Sequence, residues 1–415
     1  MLRHQPDEVR TVLLQTSVLN RMTAELCDAV TGRRDGRSVL EALPDEVVRA
    51  RPVLGVGYAG ALMVGGETRG VEARLRDAER CLAEVGSGPS AQEVVVVDEN
   101  AFGRVPGAIA LYRAGLALLR GDLAGAEAQA RTARDLAAPD DTVGRGSAAG
   151  ILGLAHWTGG DLDEGYRWYA EAATALETAG HRSDVAGCAL ALADIRLAQG
   201  RLDDATTVVE RVMRLVGPEG GTPLRGAVDL HVGTATVLLE RGDLAGARRH
   251  LGTAEDLGDH LGLPQNPYRR RVLAARLREI EGDPEGALGL LEEAERHYVA
   301  DYFPEVQPIP ALRARVQARR GRWTDAPDWA AGLDLSTADE PSYLREVEHL
   351  VPARALVARH AADGDDEAFT GAVELLQRLR RRTEEGGRTG SVLAVLVTRA
   401  LAEQARGAGT RRWRR

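Results

Sequence analysis

Gly55-Val56-Gly57-Tyr58-Ala59-Gly60 has the spacing of a loop that lets a dinucleotide pyrophosphate lie against bare backbone, with Asp77 and Glu79 about 20 residues further on. That chemistry needs a strand before the loop and a βαβ unit around it. Here Pro52 and the Arg-rich stretch 49–51 come first, and no parallel-sheet pattern follows, so a glycine-rich helix is expected. His349 stands three residues after Glu346 and His260 four after Asp256, which sets each pair on one helix face. Two ligands do not complete a metal site, and none of the nine His falls in an H-E-x-x-H pattern. Asp229 and His231 are two apart and point to different faces, so they cannot share an ion. No Ser sits in a G-x-S-x-G elbow. All 53 basic residues are Arg, which removes Schiff-base and P-loop lysine chemistry. No catalytic residue, cofactor or metal is expected, and the chain does not read as an enzyme.

A groove made by repeated helices is the better candidate. Asp194, Asp229, His231, Arg269, Arg276, Arg313 and Arg315 fall on the first helices of successive hairpins, with Tyr268, Tyr302 and Tyr343 near their ends. Arg forks and tyrosines so placed can hold a peptide or an anionic small ligand. Many of the same charges could instead be ion pairs between neighbouring repeats.

The elements that would position them are written in a repeated phrase. Arg241-Gly242-Asp243-Leu244-Ala245-Gly246-Ala247 ends one helix on a Gly suited to positive φ, caps the next with Asp, and sets a small residue five positions after the Gly. The phrase recurs at Gly121, Gly160, Gly200, Gly282, Gly321 and Gly364, in steps of 39, 40, 42, 40, 39 and 43 residues. A fixed period of this length marks stacked helical hairpins that have no core without their neighbours. The fold class expected is all-α, an α-α superhelix of TPR-like hairpins.

Four segments are expected. Residues 1–43 form a short helical segment with helix-period apolar positions between 9 and 30. Residues 44–103 form an atypical first hairpin around Gly65-Gly66 and a linker that includes an apolar loop at Val94 to Val97. Residues 104–406 form a superhelix of about seven hairpins plus an unpaired last helix over 391–406, with a turn at Gly407-Ala408-Gly409. Residues 407–415 are a basic tail. Asp161-Leu162-Asp163-Glu164 reads as a capping box, Asp283-Pro284 as a cap followed by Pro in the first turn, and Pro218, Pro223, Pro264 and Pro267 as breaks between hairpins.

Composition narrows the partners. Fifty-three basic and 62 acidic residues leave a net charge of −9, which gives no pull toward phosphate backbones or anionic membranes. The tail Arg411-Arg412-Trp413-Arg414-Arg415 is too small a patch to reverse that. Cys27, Cys81 and Cys188 are scattered and odd in number, as expected of reduced, buried thiols. No signal-peptide core and no apolar run of about 18 residues is present, so the cytoplasm is expected, with no membrane contact.

Val12-Leu13-Leu14-Gln15-Thr16-Ser17-Val18-Leu19-Asn20-Arg21 and Leu26-Cys27-Asp28-Ala29-Val30-Thr31-Gly32 resemble a segment just after the ATPase core of MalT-like regulators, the large ATP-binding members of the LuxR family of transcriptional activators. Leu261-Gly262-Leu263-Pro264-Gln265-Asn266-Pro267-Tyr268, Ala294-Glu295-Arg296-His297-Tyr298-Val299-Ala300-Asp301-Tyr302-Phe303-Pro304 and Glu340-Pro341-Ser342-Tyr343-Leu344-Arg345-Glu346-Val347-Glu348-His349-Leu350 resemble their tetratricopeptide-like region. The likeness covers most of residues 7–406. It implies a helical region that receives an inducer or a regulatory protein. In such regulators that signal permits ATP-dependent self-association and DNA binding through a helix-turn-helix. No Walker motif precedes Leu13, the segment between Gly32 and Leu43 is short for a winged helix, and no helix-turn-helix follows Arg406. The resemblance therefore implies a relative of the sensor arm, without ATPase activity or promoter binding, and it assigns no groove residue.

The expected role is non-catalytic binding of a protein or peptide partner, or of a small-molecule inducer, with a homodimer formed through the open C-terminal end. A general adaptor scaffold and a truncated regulator remnant are the alternatives.

Overall fold

The computed structural model describes residues 50–64, 67–84, 94, 96, 98–216, 224–299, 302–320, 322 and 326–412. The helical stretch at 9–30, the Gly65-Gly66 turn, Cys27, Pro218, Pro223, Gly321, Trp323 and residues 413–415 lie outside the described residues. Val94 and Val96, from the expected apolar loop, belong to no helix or strand. Among the described residues there are helices and no strands, the all-α helical-hairpin solenoid expected from the repeat. None of these helices is long and apolar enough to cross a membrane. The chain divides into two compact units, residues 1–152 and 153–415.

In the first unit, α1 (Pro52–Val64) and α2 (Val71–Glu84) form the atypical hairpin, followed by α3 (Glu99–Gly103), α4 (Val105–Leu119), α5 (Leu123–Leu136) and the beginning of α6 (Thr142–Gly159). The G-x-G-x-x-G stretch is helical, as its context requires. Its Gly60 makes room for a ring, since a Cβ there would lie 2.3 Å from the Tyr112 hydroxyl oxygen. Arg113 of α4 reaches back to α2, donating to Glu72 at 3.1 Å and to Glu79 at 2.8 Å. These two carboxylates hold the guanidinium protonated more firmly than usual.

The second unit contains the end of α6, then α7 (Leu162–Thr178), α8 (Arg182–Ala198), α9 (Leu202–Val216), α10 (Ala227–Glu240), α11 (Leu244–Leu257), α12 (Asn266–Ile280), α13 (Pro284–Arg296), α14 (Ile309–Arg319), α15 (Ala326–Gly332), α16 (Glu346–Asp363), α17 (Asp366–Glu385) and α18 (Thr389–Arg412). Its junctions share one chemistry. Gly160, Gly200, Gly242, Gly282 and Gly364 stand at φ between 70° and 87°, as does Gly121 of the first unit. At Gly242 the Asp243 N–H closes on the Leu238 carbonyl at 2.9 Å, and the same wide closure joins Asp161 to His156 and Asp283 to Arg278. The Asp243 carboxylate then accepts from the Gly246 N–H at 2.8 Å, starting the next helix. Asp161 likewise accepts from Glu164 N–H, but Glu164 turns its own carboxylate to Arg167, so only half of the expected capping box forms. Pro267 falls inside the first turn of α12, where a missing N–H costs nothing, and not between hairpins.

The small residue five positions after Gly121, Gly160, Gly200, Gly242 and Gly282 lies at the helix crossing. Ala126, Ala205, Ala247 and Ala287 are completely buried, and a Cβ at Gly165 would come within 3.1 Å of the Trp157 backbone nitrogen. Around Ala247 the core consists of Ala235, Leu239, Leu251, Ala254, Leu273 and Leu277.

The C-terminal end differs from expectation in one respect. The turn at Gly407-Ala408-Gly409 does not form, and α18 runs through it to Arg412. Two glycines weaken a helix by about 1 kcal/mol each without ending it, and intrahelical hydrogen bonding continues through them. Val395 joins α18 to Leu350 and Ala353 of α16 and to Leu375, Leu376 and Leu379 of α17. Leu393, Leu396, Val397 and Leu401 remain exposed in a helical stripe on its other side.

Ala247→Leu adds three carbons to a closed crossing and is expected to destabilise the second unit by about 1–3 kcal/mol. The change is read as a lower urea midpoint at unchanged slope. An unchanged midpoint would mean that Ala247 is not at the contact.

Candidate partner-binding site

The predicted groove residues, all of them in the second unit, fall into ties between helices, two positions on α10, and residues in or beside one aromatic cluster. Arg276 of α12 pairs with Glu240 at the end of α10, and Arg315 of α14 donates to Glu279 of α12 at 2.7 Å. Both pairs span 36 residues, about one repeat, so the same bond is made between successive first helices. Arg313 sits between Glu292 and Glu295 of α13. Three Arg forks expected to meet an anion therefore already meet carboxylates of neighbouring helices. Half-exposed pairs of this kind add little stability each but fix the spacing of the stack.

Asp229 is 2% exposed, and its carboxylate accepts from the Leu263 N–H at 2.8 Å, anchoring the chain's entry into α12. Burial pushes its carboxyl above the usual range, against the pull of this bond, of Asn266 and of Arg269. His231, on another face of α10, lies ring to ring with His250 of α11, Nδ1 to Nδ1 at 3.0 Å. One ring donates its Nδ1–H and the other accepts. Asp229 and His231 are thus kept apart, as their spacing dictates. Asp194 is exposed on α8, and its charge reaches the Tyr343 phenol.

Tyr343, Arg269, Tyr268 and Tyr302 lie in or beside an aromatic cluster that the predicted list only partly anticipates. Trp157, at the end of α6 and 2% exposed, donates its indole N–H to the Tyr343 hydroxyl at 3.0 Å across 186 residues. The Phe303 ring, from the segment between α13 and α14, lies 5.6 Å from Trp157 and 6.2 Å from Tyr169 of α7. The Arg269 guanidinium lies over Phe303 at 4.9 Å and 5.9 Å from the Tyr268 ring, and Tyr268 meets Tyr298 at a tilt, 5.1 Å between centroids. Tyr302 is half-buried beside Phe303. Burial raises the Tyr343 phenol well above its ordinary value, so it stays a neutral acceptor.

Glycines and one buried ion pair hold these rings. A Cβ on Gly153 would strike the Tyr169 ring at 2.6 Å, and one on Gly160 would sit 3.1 Å from Tyr343 Cβ. Arg388, between α17 and α18, donates to Glu346 of α16 at 2.7 Å, with both side chains almost fully buried, and its guanidinium lies 5.1 Å from the Tyr343 ring. Burial raises the Glu346 carboxyl while Arg388 pulls it down. Trp157, Tyr169, Phe303, Glu346 and Arg388 are absent from the predicted list. Phe303 carried a signal: it is one of only three Phe, in a segment between Pro304 and the end of α13 that no repeat explains.

The arrangement is suited to recognition. Rigid rings and a guanidinium plane bind flat apolar groups. Among the described residues no cluster of three or more His, Cys, Asp or Glu could hold a metal ion. Cys81 and Cys188 are buried free thiols, and burial pushes Cys188 up to about 12.

Burial, and for His231 the facing His250, hold both imidazoles below the usual pKa. The folded chain therefore takes up fewer protons than the unfolded chain as the pH falls through about 6.5, and stability is lost there. Thermal melts at pH 7.5, 6.5 and 5.5 are expected to fall more steeply for the native chain than for His231→Gln, by about 1–2 °C at pH 5.5. Parallel curves would show that the pair does not titrate in this way.

Comparison with known proteins gives the following. Residues 1–48 match the MalT winged helix domain, a stretch that includes the segment between Gly32 and Leu43 expected to be short for one. No curated protein matches the chain. Solved structures similar to it include a Rap protein complexed with competence and sporulation factor, at 13% identity and TM-score 0.49, covering 87% of this chain and 98% of that one. They also include a human IFIT1 dimer with PPP-AAAA, at 12% identity and TM-score 0.48, covering 97% and 96%. A third is the apo quorum sensor NprR from B. thuringiensis, at 13% identity and TM-score 0.43, covering 83% and 97%. Residues 107–411 match the MalT-like TPR region, a span that takes in every helix from α5 onward with nearly all of α4, and the chain belongs to that family.

Proposed function

We propose that the chain is a non-catalytic recognition module related to the sensor region of MalT-like, LuxR-family transcription regulators, and that its second unit receives a peptide segment of a protein partner. One observation carries this. Trp157, Tyr169 and Arg269, from separate helices, converge on the ring of Phe303, which stands on a segment without helix or strand, and Trp157 also holds the Tyr343 hydroxyl. Aromatic and Arg anchors of this kind dominate peptide recognition, while Arg276, Arg313 and Arg315 serve the scaffold. The tagged chain, incubated in native lysate, is expected to enrich a related regulator or another protein partner about tenfold over Arg269→Ala, a loss of about 1.4 kcal/mol. Equal recovery by both chains, or recovery of nothing above the bare resin, would dismiss this reading. A small-molecule inducer would instead raise stability by about 2.7 kcal/mol at 100 times its Kd.

We infer also that α18 supports self-association. Leu393, Leu396, Val397 and Leu401 are 39% to 58% exposed at helical spacing, an apolar stripe suited to a two-fold contact. Light scattering is expected to show a dimer that Leu393→Glu with Val397→Glu converts to monomer. A native chain that stays monomeric at high concentration would rule the contact out.

A further inference from the structure

The binding site just described is already filled, and by a side chain unlike its walls. Trp157 and Tyr169 are 2% and 7% exposed, fixed in helices and packed against glycines. Phe303, which lies between them and Arg269, is only half-buried. Residues 302–308 carry no helix or strand, and Pro304 and Pro308 offer no N–H for a ladder. Their backbone bends on a bond from Val306 N–H to the Pro304 carbonyl at 2.9 Å. A preorganised pocket thus holds an occupant that is attached by its ring, on a segment without regular structure.

Resting on the peptide-binding reading above, we propose that Phe303 is an internal stand-in for the partner. Its ring occupies the subsite between Trp157, Tyr169 and Arg269 in the resting chain, and an incoming segment displaces it with an aromatic side chain of its own. The partner segment has the pattern that Phe303-Pro304-Glu305 displays: an aromatic residue followed by Pro, with a carboxylate two positions on. The ring meets Trp157 at a tilt and Tyr169 edge-on, and the guanidinium of Arg269 lies over it. The segment therefore competes with the partner, and the partner's apparent affinity falls by the fraction of time that Phe303 is out of the site.

The probe is a fluorescein-labelled peptide of residues 298–308, with a second peptide carrying Ala at the Phe303 position as its control. Anisotropy titrations use the full chain in its native form, as Phe303→Ala and as Phe303→Leu. Phe303→Ala is expected to bind the probe at least about tenfold more tightly than the native chain, with the control peptide showing no gain. Phe303→Leu, which keeps apolar volume but loses the ring face, is expected to fall between them. Equal binding by all three chains, or equal binding of probe and control, overturns the proposal. Failure of both variants to give a cooperative melt also overturns it, because an exchangeable side chain cannot be indispensable to the core. A cellular partner captured equally by the native chain and Phe303→Ala leaves the site assignment standing and removes the competition. A gain for the probe with no cellular partner supports the exchange at Phe303 and removes the protein-partner reading.

Discussion

Two helices can approach only as closely as the side chains at their crossing allow, and everything in this molecule follows from keeping that distance short. Ala126, Ala205, Ala247 and Ala287 have no exposed surface, and Gly165 brings α7 against the backbone of α6 at Trp157. Larger residues there would push each pair apart and leave gaps that nothing nearby could fill. Close crossing lets a chain with only 4% aromatic residues make a dense core from Ala, Leu and Val. It also leaves those few rings for other work.

The charges have a related division of labour. Arg276 and Arg315 reach carboxylates one repeat away, so the acidic end of one first helix meets the basic side of the next. These ties are partly solvated and contribute register more than energy. Glu346 and Arg388 are different: both are nearly sealed from water, and each would carry a heavy desolvation cost without the other. Arg388 also donates to the Arg382 carbonyl and lies over Tyr343, so one side chain joins α16, the end of α17 and the aromatic cluster.

What was legible in the sequence was what is local. Positive-φ glycines, Asp caps and small crossing residues act within seven positions, and among the described residues Gly121, Gly160, Gly200, Gly242, Gly282 and Gly364 each separate two helices as expected. The helical nature of the Gly55–Gly60 stretch and the burial of Cys81 and Cys188 were legible for the same reason. The candidate site was legible only in part. Arg269, Tyr268 and Tyr343 were visible as polar residues at hairpin positions, but Trp157, Tyr169 and Phe303 look like ordinary core residues until residues 134 and 146 positions apart are seen together. Arg276, Arg313 and Arg315 carry the same pattern as a binding residue, and only the carboxylates opposite them show their use. The turn expected at Gly407 failed because two glycines weaken a helix without supplying anything that ends it.

The bond from Trp157 to Tyr343 has a further consequence. Each hairpin junction brings its own stop and start, so a unit could be duplicated or deleted by recombination without spoiling its neighbours' caps. Between positions 157 and 343 that freedom ends, because one more period or one fewer would carry the indole and the phenol out of each other's reach. The cross-tie counts the hairpins it encloses. An open-ended series has thereby become a part of set length, and its copy number can drift only outside that interval.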